Sequence, residues 1–310
     1  MKFNQSNIKK AKKCLDSNKC IAVPTETVYG LAANAYSTKA VKKIFNLKKR
    51  PKSNPLIVHY SNLQSLKKDC LVNSDFMKLY KRFCPGPITF ILKLKNSSRI
   101  SKLVTNKQNT LAVRFPKHYT ISKLLKIINY PLAAPSANIT TKLSSVKAED
   151  VRDEFGGKLS YILDGGKSKI GIESTIISLI KSPQIFRLGG LEVKKIEKVL
   201  KKKIKINVNP LKKIAPGQSK LHYSPGIPVR LNITKPKRNE AYILINKRNK
   251  KSNHFYYISK NKNLNEAAKN LYSCLRKIKN KGYKSIAVEK IPNKNLGSSI
   301  NDRLNRASKF

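Results

Sequence analysis

Lys48, Arg50, Asn54 and His59 share one short run, KKRPKSNPLIVH, in which a cationic cluster breaks on Pro51, breaks again on Pro55, and leads into the apolar Leu56-Ile57-Val58. Proline stops a helix and biases the residue before it toward extended backbone, so the run predicts cations held rigidly at a strand mouth. Ammonium and guanidinium groups placed there suit a phosphate or a carboxylate. Lys49 and Lys52 read as solvated charge. Three more loops follow predicted strands: Pro24 to Gly30 (PTETVYG) offers two hydroxyls, a carboxylate and a phenol, Ala134 to Asn138 (APSAN) offers small hydrogen-bonding groups, and Val113-Arg114-Phe115-Pro116 offers an arginine. Ligand crevices in open α/β sheets lie at the carboxyl ends of strands, so these loops together describe a pocket for an anion such as a nucleotide phosphate.

Other chemistries find less support. Gly165-Gly166-Lys167-Ser168 imitates the end of a phosphate-binding P-loop, but that pattern needs glycine at 161, where the chain has Tyr161. No GxGxxG, HExxH or GxSxG occurs, and His59, His118, His222 and His254 are too scattered to suggest a hydrolytic triad. Five cysteines without a CxxC pair signal neither a zinc site nor a disulfide framework, and fit a reducing cytoplasm. Glu149, Asp150, Asp153 and Glu154 fall on one predicted helix, where acids usually face water or complement the helix dipole. With few acids elsewhere, Mg²⁺ is expected to arrive on a substrate's phosphates, outside any protein cage.

The elements that must position these loops alternate helix and strand, which implies an α/β sheet flanked by helices. Ile8, Ala11 and Leu15 share a helical face behind Ser6 as cap, and Cys20 to Val23 reads as a buried strand. Ala40, Val41, Ile44 and Phe45, then Phe76, Leu79, Tyr80 and Phe83, mark further helices. Strands are expected at Leu56 to Val58, Ile88 to Leu94, Leu111 to Phe115, Leu132 to Ala134, Tyr161 to Leu163, Ser174 to Leu179 and Gln184 to Leu188. Helices are expected at Leu124 to Ile128, at Val146 to Phe155 with Ser144 or Ser145 as cap, and at 192 to 201. A first domain over 1 to 202 then gives way to a linker at 203 to 228, rich in lysine and then in proline and glycine. Strands at 229 to 233, 241 to 246 and 284 to 289, with helices at Leu264 to Ile278 and Ile300 to Ala307, make a small α/β domain over 229 to 310.

The chain of 310 residues carries 66 Lys and Arg against 16 Asp and Glu, a net charge of +50. Such charge attracts polyanions, yet the lysines are spread along the whole length and arginines are few, as AT-rich coding alone produces. It therefore permits weak RNA contact without pointing to it. No apolar run approaches the roughly 20 residues needed to span a bilayer, so no membrane partner is expected.

Taken in order, PTETVYGL at 24 to 31, KxR at 48 to 50, NPLIVH at 54 to 59, PGP at 85 to 87, VRFP at 113 to 116 and APSAN at 134 to 138 resemble the YrdC-like threonylcarbamoyl-AMP synthase family. DGG at 164 to 166 and EST at 173 to 175 extend the likeness, while APGQSKLHYSPG at 215 to 226 and LGSSINDRLNRAS at 296 to 308 resemble the longer, two-domain branch. The resemblance implies a YrdC-like twisted mixed sheet flanked by helices and a small C-terminal Rossmann-like α/β domain. It implies an enzyme joining L-threonine, bicarbonate and ATP into threonylcarbamoyl-AMP and pyrophosphate, with downstream proteins using the product to make N6-threonylcarbamoyladenosine in tRNA. Lys48, Arg50, Ser136 and Asn138 match the family's KxR and SxN set. Arg50, Asn54, Thr110, Ser136, Ser144, Arg187 and Tyr223 match ATP positions, the last in a linker that covers the nucleotide. Thr27, His59, Arg114, Ala134 and Ser174 match threonine positions. Two departures stand out: Thr141 replaces a glycine beside the nucleotide, and Leu221 replaces an arginine before the His-Tyr pair. A rival reading, a non-catalytic double-stranded RNA-binding protein with a vestigial nucleotide pocket, leaves the joint presence of Lys48, Arg50, Ser136 and Asn138 unexplained. A domain of a larger maturation enzyme would bring zinc-finger or acylphosphatase-like segments, which the sequence lacks.

Overall fold

Ten short strands, most of them apolar and β-branched, assemble into one mixed sheet. They are β1 Ile21–Val23, β2 Gly30–Asn34, β3 Ile57–His59, β4 Ile88–Lys93, β5 Thr110–Arg114, β6 Leu132–Ala133, β7 Tyr161–Ile162, β8 Thr175–Ser178, β9 Gln184–Arg187 and β10 Lys205–Ile206. The order across the sheet is β10-β9-β8-β4-β5-β3-β6-β2-β1-β7, with parallel and antiparallel neighbours interleaved. A second, all-parallel sheet has the order β11-β14-β12-β13, from β11 Val229–Arg230, β12 Ala241–Leu244, β13 Phe255–Tyr257 and β14 Ile286–Val288. This computed structural model describes residues 4–208, 221–249 and 251–309. Pro210, Pro216 and Gly217 of the expected linker lie outside the described residues. Among those described, no helix is long and apolar enough to cross a membrane.

The mixed sheet and the Rossmann-like second sheet agree with the expected fold class. Several local expectations need correction. Asn4 caps helix Gln5–Asp16 by accepting from the Ser6 amide, so Ser6 lies inside the helix. Helix Ala148–Phe155 starts behind Lys147, and Ser144 and Ser145 spend their hydroxyls elsewhere. Strands β2, β10 and β13 and helices Leu63–Asp69 and Lys102–Thr105 were not expected; β10 falls within the expected linker at 203 to 228 but pairs in parallel with β9, so the first sheet extends into it. β2 escapes notice because its Gly-Leu-Ala-Ala-Asn sequence has low β propensity, which pairing with β1 and β6 overrides.

The two sheets share apolar packing. Val28, Leu143, Val146 and Ile172 from the first part cluster with Leu271, Tyr272, Ile300 and other core residues of the second. Gly171 makes this close approach possible. It sits at φ +80°, and a Cβ there would lie 2.5 Å from Cα of Lys269 in helix Leu264–Asn280.

Candidate active site

Helix Thr38–Lys48 is capped by Ser37 and ends when Lys49 turns left-handed at φ 48°, which drops Lys48 inward and leaves Lys49 exposed. Lys48 is 1% exposed, and its ammonium donates to the carbonyls of Ser136 (2.6 Å) and Asn138 (2.5 Å). Two of its three N–H groups thereby clamp the Ala134–Asn138 loop. Burial, then the nearby Arg50, push its pKa well below the ordinary lysine value. Arg50 donates to the carbonyls of Asn54 (3.0 Å) and Pro55 (2.9 Å), so the two prolines hold the segment that orients it. Its burial beside Arg187 lowers its pKa to about 9, which leaves it cationic at neutral pH.

Parallel pairing of β3 with β5 sets His59 beside Arg114, and the antiparallel return of β6 brings Ala134 across Ile57. The resulting cavity is lined on β3 by Ile57 and His59, between the parallel β5 and the antiparallel β6. It measures about 40 Å³ and is lined by Arg50, Ile57, His59, Arg114, Ala134, Ser136, Glu173, Arg187, His222 and Tyr223, with Thr25, Val28 and Tyr29 from the loop after β1, Gly30 at the start of β2, and Pro135. Burial and Arg114 hold His59 well below the usual histidine pKa, so it is neutral. Arg114 stands 2.9 Å from Glu26, but the contact is too oblique for a hydrogen bond, and its Nε and Nη2 have no hydrogen-bond partner. Asn54 Oδ1, Asn138 Oδ1, His59 Nδ1, His222 Nδ1 and the Tyr223 hydroxyl are buried in the same condition. A buried polar atom without a partner costs about 1–3 kcal/mol, so this concentration marks a surface built to bond a polar ligand.

One wall comes from the segment after the undescribed residues. Tyr223 is 1% exposed at φ 60°, a conformation costly for a bulky residue. His222 packs on it at 3.9 Å, Tyr272 stacks at 5.8 Å, and the Arg303 guanidinium stands 5.3 Å from its ring centroid. Ser224 donates its amide to the Thr141 carbonyl at 2.8 Å. Behind this wall, Glu173 accepts from Ser144 (2.6 Å), from Tyr272 (3.0 Å) and from Arg303 (3.1 Å). Burial would raise its pKa, but Arg303, Arg187 and the Ser144 hydroxyl outweigh that and hold it at about 2.

A family model described as "Telomere recombination", for Sua5, YciO and YrdC proteins, matches residues 13–189. A second, described as the C-terminal domain of threonylcarbamoyl-AMP synthase, matches residues 191–309. This chain belongs to the threonylcarbamoyl-AMP synthase family. Synthases of that name from Pyrococcus abyssi and Bacillus subtilis are 36% and 34% identical, covering 94% and 98% of this chain and 91% and 94% of their own lengths. The crystal structure of P. abyssi Sua5 complexed with L-threonine superposes with a TM-score of 0.91 at 33% identity, covering 99% of this chain and 96% of that one. Membership makes the chain an enzyme of nucleotidyltransferase type and does not favour the reading as a non-catalytic RNA-binding protein.

Of the synthase positions named from the sequence, Arg50, His59, Arg114, Ala134, Ser136, Arg187 and Tyr223 reach the cavity. Lys48, Asn54, Asn138, Thr27, Ser144 and Ser174 stand behind its lining. Ser174, for example, bonds Thr89 (2.8 Å) and accepts from Arg187 (3.0 Å). Thr110 is apart: it begins β5 while Arg114 ends it, and it lines a separate cleft of about 700 Å³ with Ile91, Ser178 and Phe186. Thr141 departs from the family's glycine but keeps the backbone, at φ 75°. Leu221 leaves Tyr223 buried nonetheless. Sequence reasoning missed His222 as a second cavity histidine, Glu26 beside Arg114, and Glu173 with Arg303 and Tyr272. The motifs EST and NDRLNRAS held Glu173 and Arg303 in view, but nothing in spacing says that residues 130 apart meet.

Proposed function

We propose that this chain joins L-threonine, bicarbonate and ATP into threonylcarbamoyl-AMP, releasing pyrophosphate, and that other proteins carry the product to tRNA in the cytoplasm. The observation that carries the reading is the convergence of Arg50, Arg187 and Arg114 with a neutral His59 on one cavity rich in unpartnered buried polar atoms. Threonine's amine attacks the bicarbonate carbon and water leaves, giving a carbamate. A carbamate oxygen then attacks the α-phosphorus of ATP, and the bond to pyrophosphate breaks. Holding these partners in line and neutralising the phosphate charge supply most of the rate, with no dedicated acid or base.

Arg50 and Arg187 face the phosphates, supported by Asn54, Ser136 and Ser144, and Lys48 with Asn138 fixes the loop over which they act; Thr110, in its separate cleft, takes no part. Arg114, held at 2.9 Å by Glu26, offers its guanidinium, with Nε free of any hydrogen-bond partner, to the threonine carboxylate. His59 gives one donor and one acceptor to the polar groups of threonine, with Thr27, Ala134 and Ser174 shaping the rest. Mg²⁺ enters with ATP, as part of the substrate. Among the described residues, no cluster of three or more His, Cys, Asp or Glu is placed to hold a metal. A 40 Å³ cavity is far below the roughly 300–1,000 Å³ of ligand pockets, so Tyr223 and its neighbours withdraw to admit ATP and return over it.

Steady-state kinetics of pyrophosphate release test the assignments. Arg114→Ala is expected to raise the threonine KM about 10- to 100-fold, the cost of a lost charge-assisted bond, with the ATP KM changing only a few-fold. Arg50→Ala should do the reverse. Equal effects of both variants on both substrates would contradict the division.

A further inference from the structure

Glu173 belongs to no substrate set named above, yet it sits where the two halves of the molecule and the nucleotide side of the site meet. Its carboxylate is 4% exposed and accepts from three directions: Ser144 from the first sheet's side, and Tyr272 and Arg303 from two helices of the second. Arg303 reaches further. Its guanidinium also donates to the Leu188 carbonyl, directly after Arg187, and stands 5.3 Å from the Tyr223 ring. In the same helix, Ser299 donates to the Gly189 carbonyl at 2.9 Å. One buried pair, Glu173 with Arg303, thus fixes the residue after a cavity arginine, the hydroxyl of Ser144 and the aromatic wall of the site.

Tyr223 supplies a second, independent observation. Its backbone is held at φ 60°, and a bulky residue stays there only when its surroundings over-determine it. Those surroundings are His222, Tyr272 and Arg303, two of them from the second sheet's domain. Without Arg303 and Tyr272, this backbone would relax and the wall would leave the cavity.

We propose that Glu173 and Arg303 are positioning residues through which the C-terminal part of the chain holds Tyr223 closed over the nucleotide. The inference rests on the reading of the cavity as an ATP and threonine site. Neither residue is required to touch a reacting atom. Their effect passes through Tyr223 and Ser144, so it falls on ATP more than on threonine, which is bonded by Arg114 and His59 on the other side.

The test measures both KM values from pyrophosphate release in a double-mutant cycle. Wild-type enzyme is assayed first: absence of threonine-dependent release there would sink the functional reading, and the cycle would then not address positioning at all, so it is run only on active protein. Arg303→Met is expected to raise the ATP KM by about tenfold or more while changing the threonine KM less than about threefold. In a Tyr223→Ala background the same change should cost less than about threefold in ATP KM, because the residue it acts through is gone. Arg303→Met alone strands a buried carboxylate and could unfold the chain. Tyr272→Phe, which keeps the ring and removes one donor, and the charge-free pair Glu173→Gln with Arg303→Met guard against that, and both should show the same ATP-selective loss. Arg303→Lys, with charge but no fork or flat face over Tyr223, should rescue only part of it. Equal losses for ATP and threonine, or the same ATP penalty with and without Tyr223, would overturn the proposal and leave the pair as structure alone.

Discussion

At the scale of single residues, the charged set was the most legible part of the site. Proline breaks around Lys48 and Arg50 announced rigid cations, and the structure uses Pro55 literally, since its carbonyl fixes the Arg50 guanidinium. What spacing could not convey was the split between lining and support: Lys48, the first cation of the motif, turns inward to clamp a loop while Arg50 faces the cavity. Thr141 shows a different limit. Its identity hides a left-handed backbone at φ 75°, which a β-branched residue occupies at a cost of about 1–2 kcal/mol. Thr141→Gly should therefore raise unfolding free energy by about 0.5–1 kcal/mol, the relief of strain less the added unfolded-state entropy, measurable by denaturant titration. Destabilisation by that substitution would show that the threonine side chain contributes packing that outweighs its strain.

At the scale of elements, helices with clear apolar faces and β-branched strands were readable, whereas β2 and the cap residues were not, because pairing and local hydrogen bonds decided them. The closing segment was named from its His-Tyr pair, but its contact with helices Leu264–Asn280 and Leu296–Ala307 is tertiary and leaves no periodic trace. That segment carries a pH dependence. In the closed position burial holds His222 at about 3, against about 6.5 when exposed. An open segment therefore binds a proton that the closed one excludes, so closure is fully favoured above pH 6.5 and weakens as pH falls from there toward 3. The ATP KM should rise below pH 6.5 by up to about tenfold per unit, and His222→Gln should flatten the rise. An unchanged profile in the variant would assign the titration to another group.

At the scale of the whole molecule, order of elements and a basic balance were plain in the sequence, but how the second sheet docks was not. Gly171 stands at that junction, its amide donating to the Thr27 carbonyl at 3.0 Å. Gly171→Val would drive a side chain into the backbone of Lys269, so thermal unfolding should lose its single transition and the ATP KM should rise. One intact transition would mean that the docking tolerates the change. The net charge of +50 predicts only non-specific RNA affinity, which should fall about 10³-fold or more between 50 and 200 mM salt and ignore threonine. The central claim, that the cavity adenylates a threonine carbamate, is tested most directly by incubating the protein with ATP, L-threonine and isotopically labelled bicarbonate and following the label by mass spectrometry. Labelled threonylcarbamoyl-AMP with matching pyrophosphate is expected, abolished by omitting any one substrate and reduced strongly in Arg50→Ala. Pyrophosphate release that is independent of threonine, or no labelled nucleotide from folded protein, would contradict it.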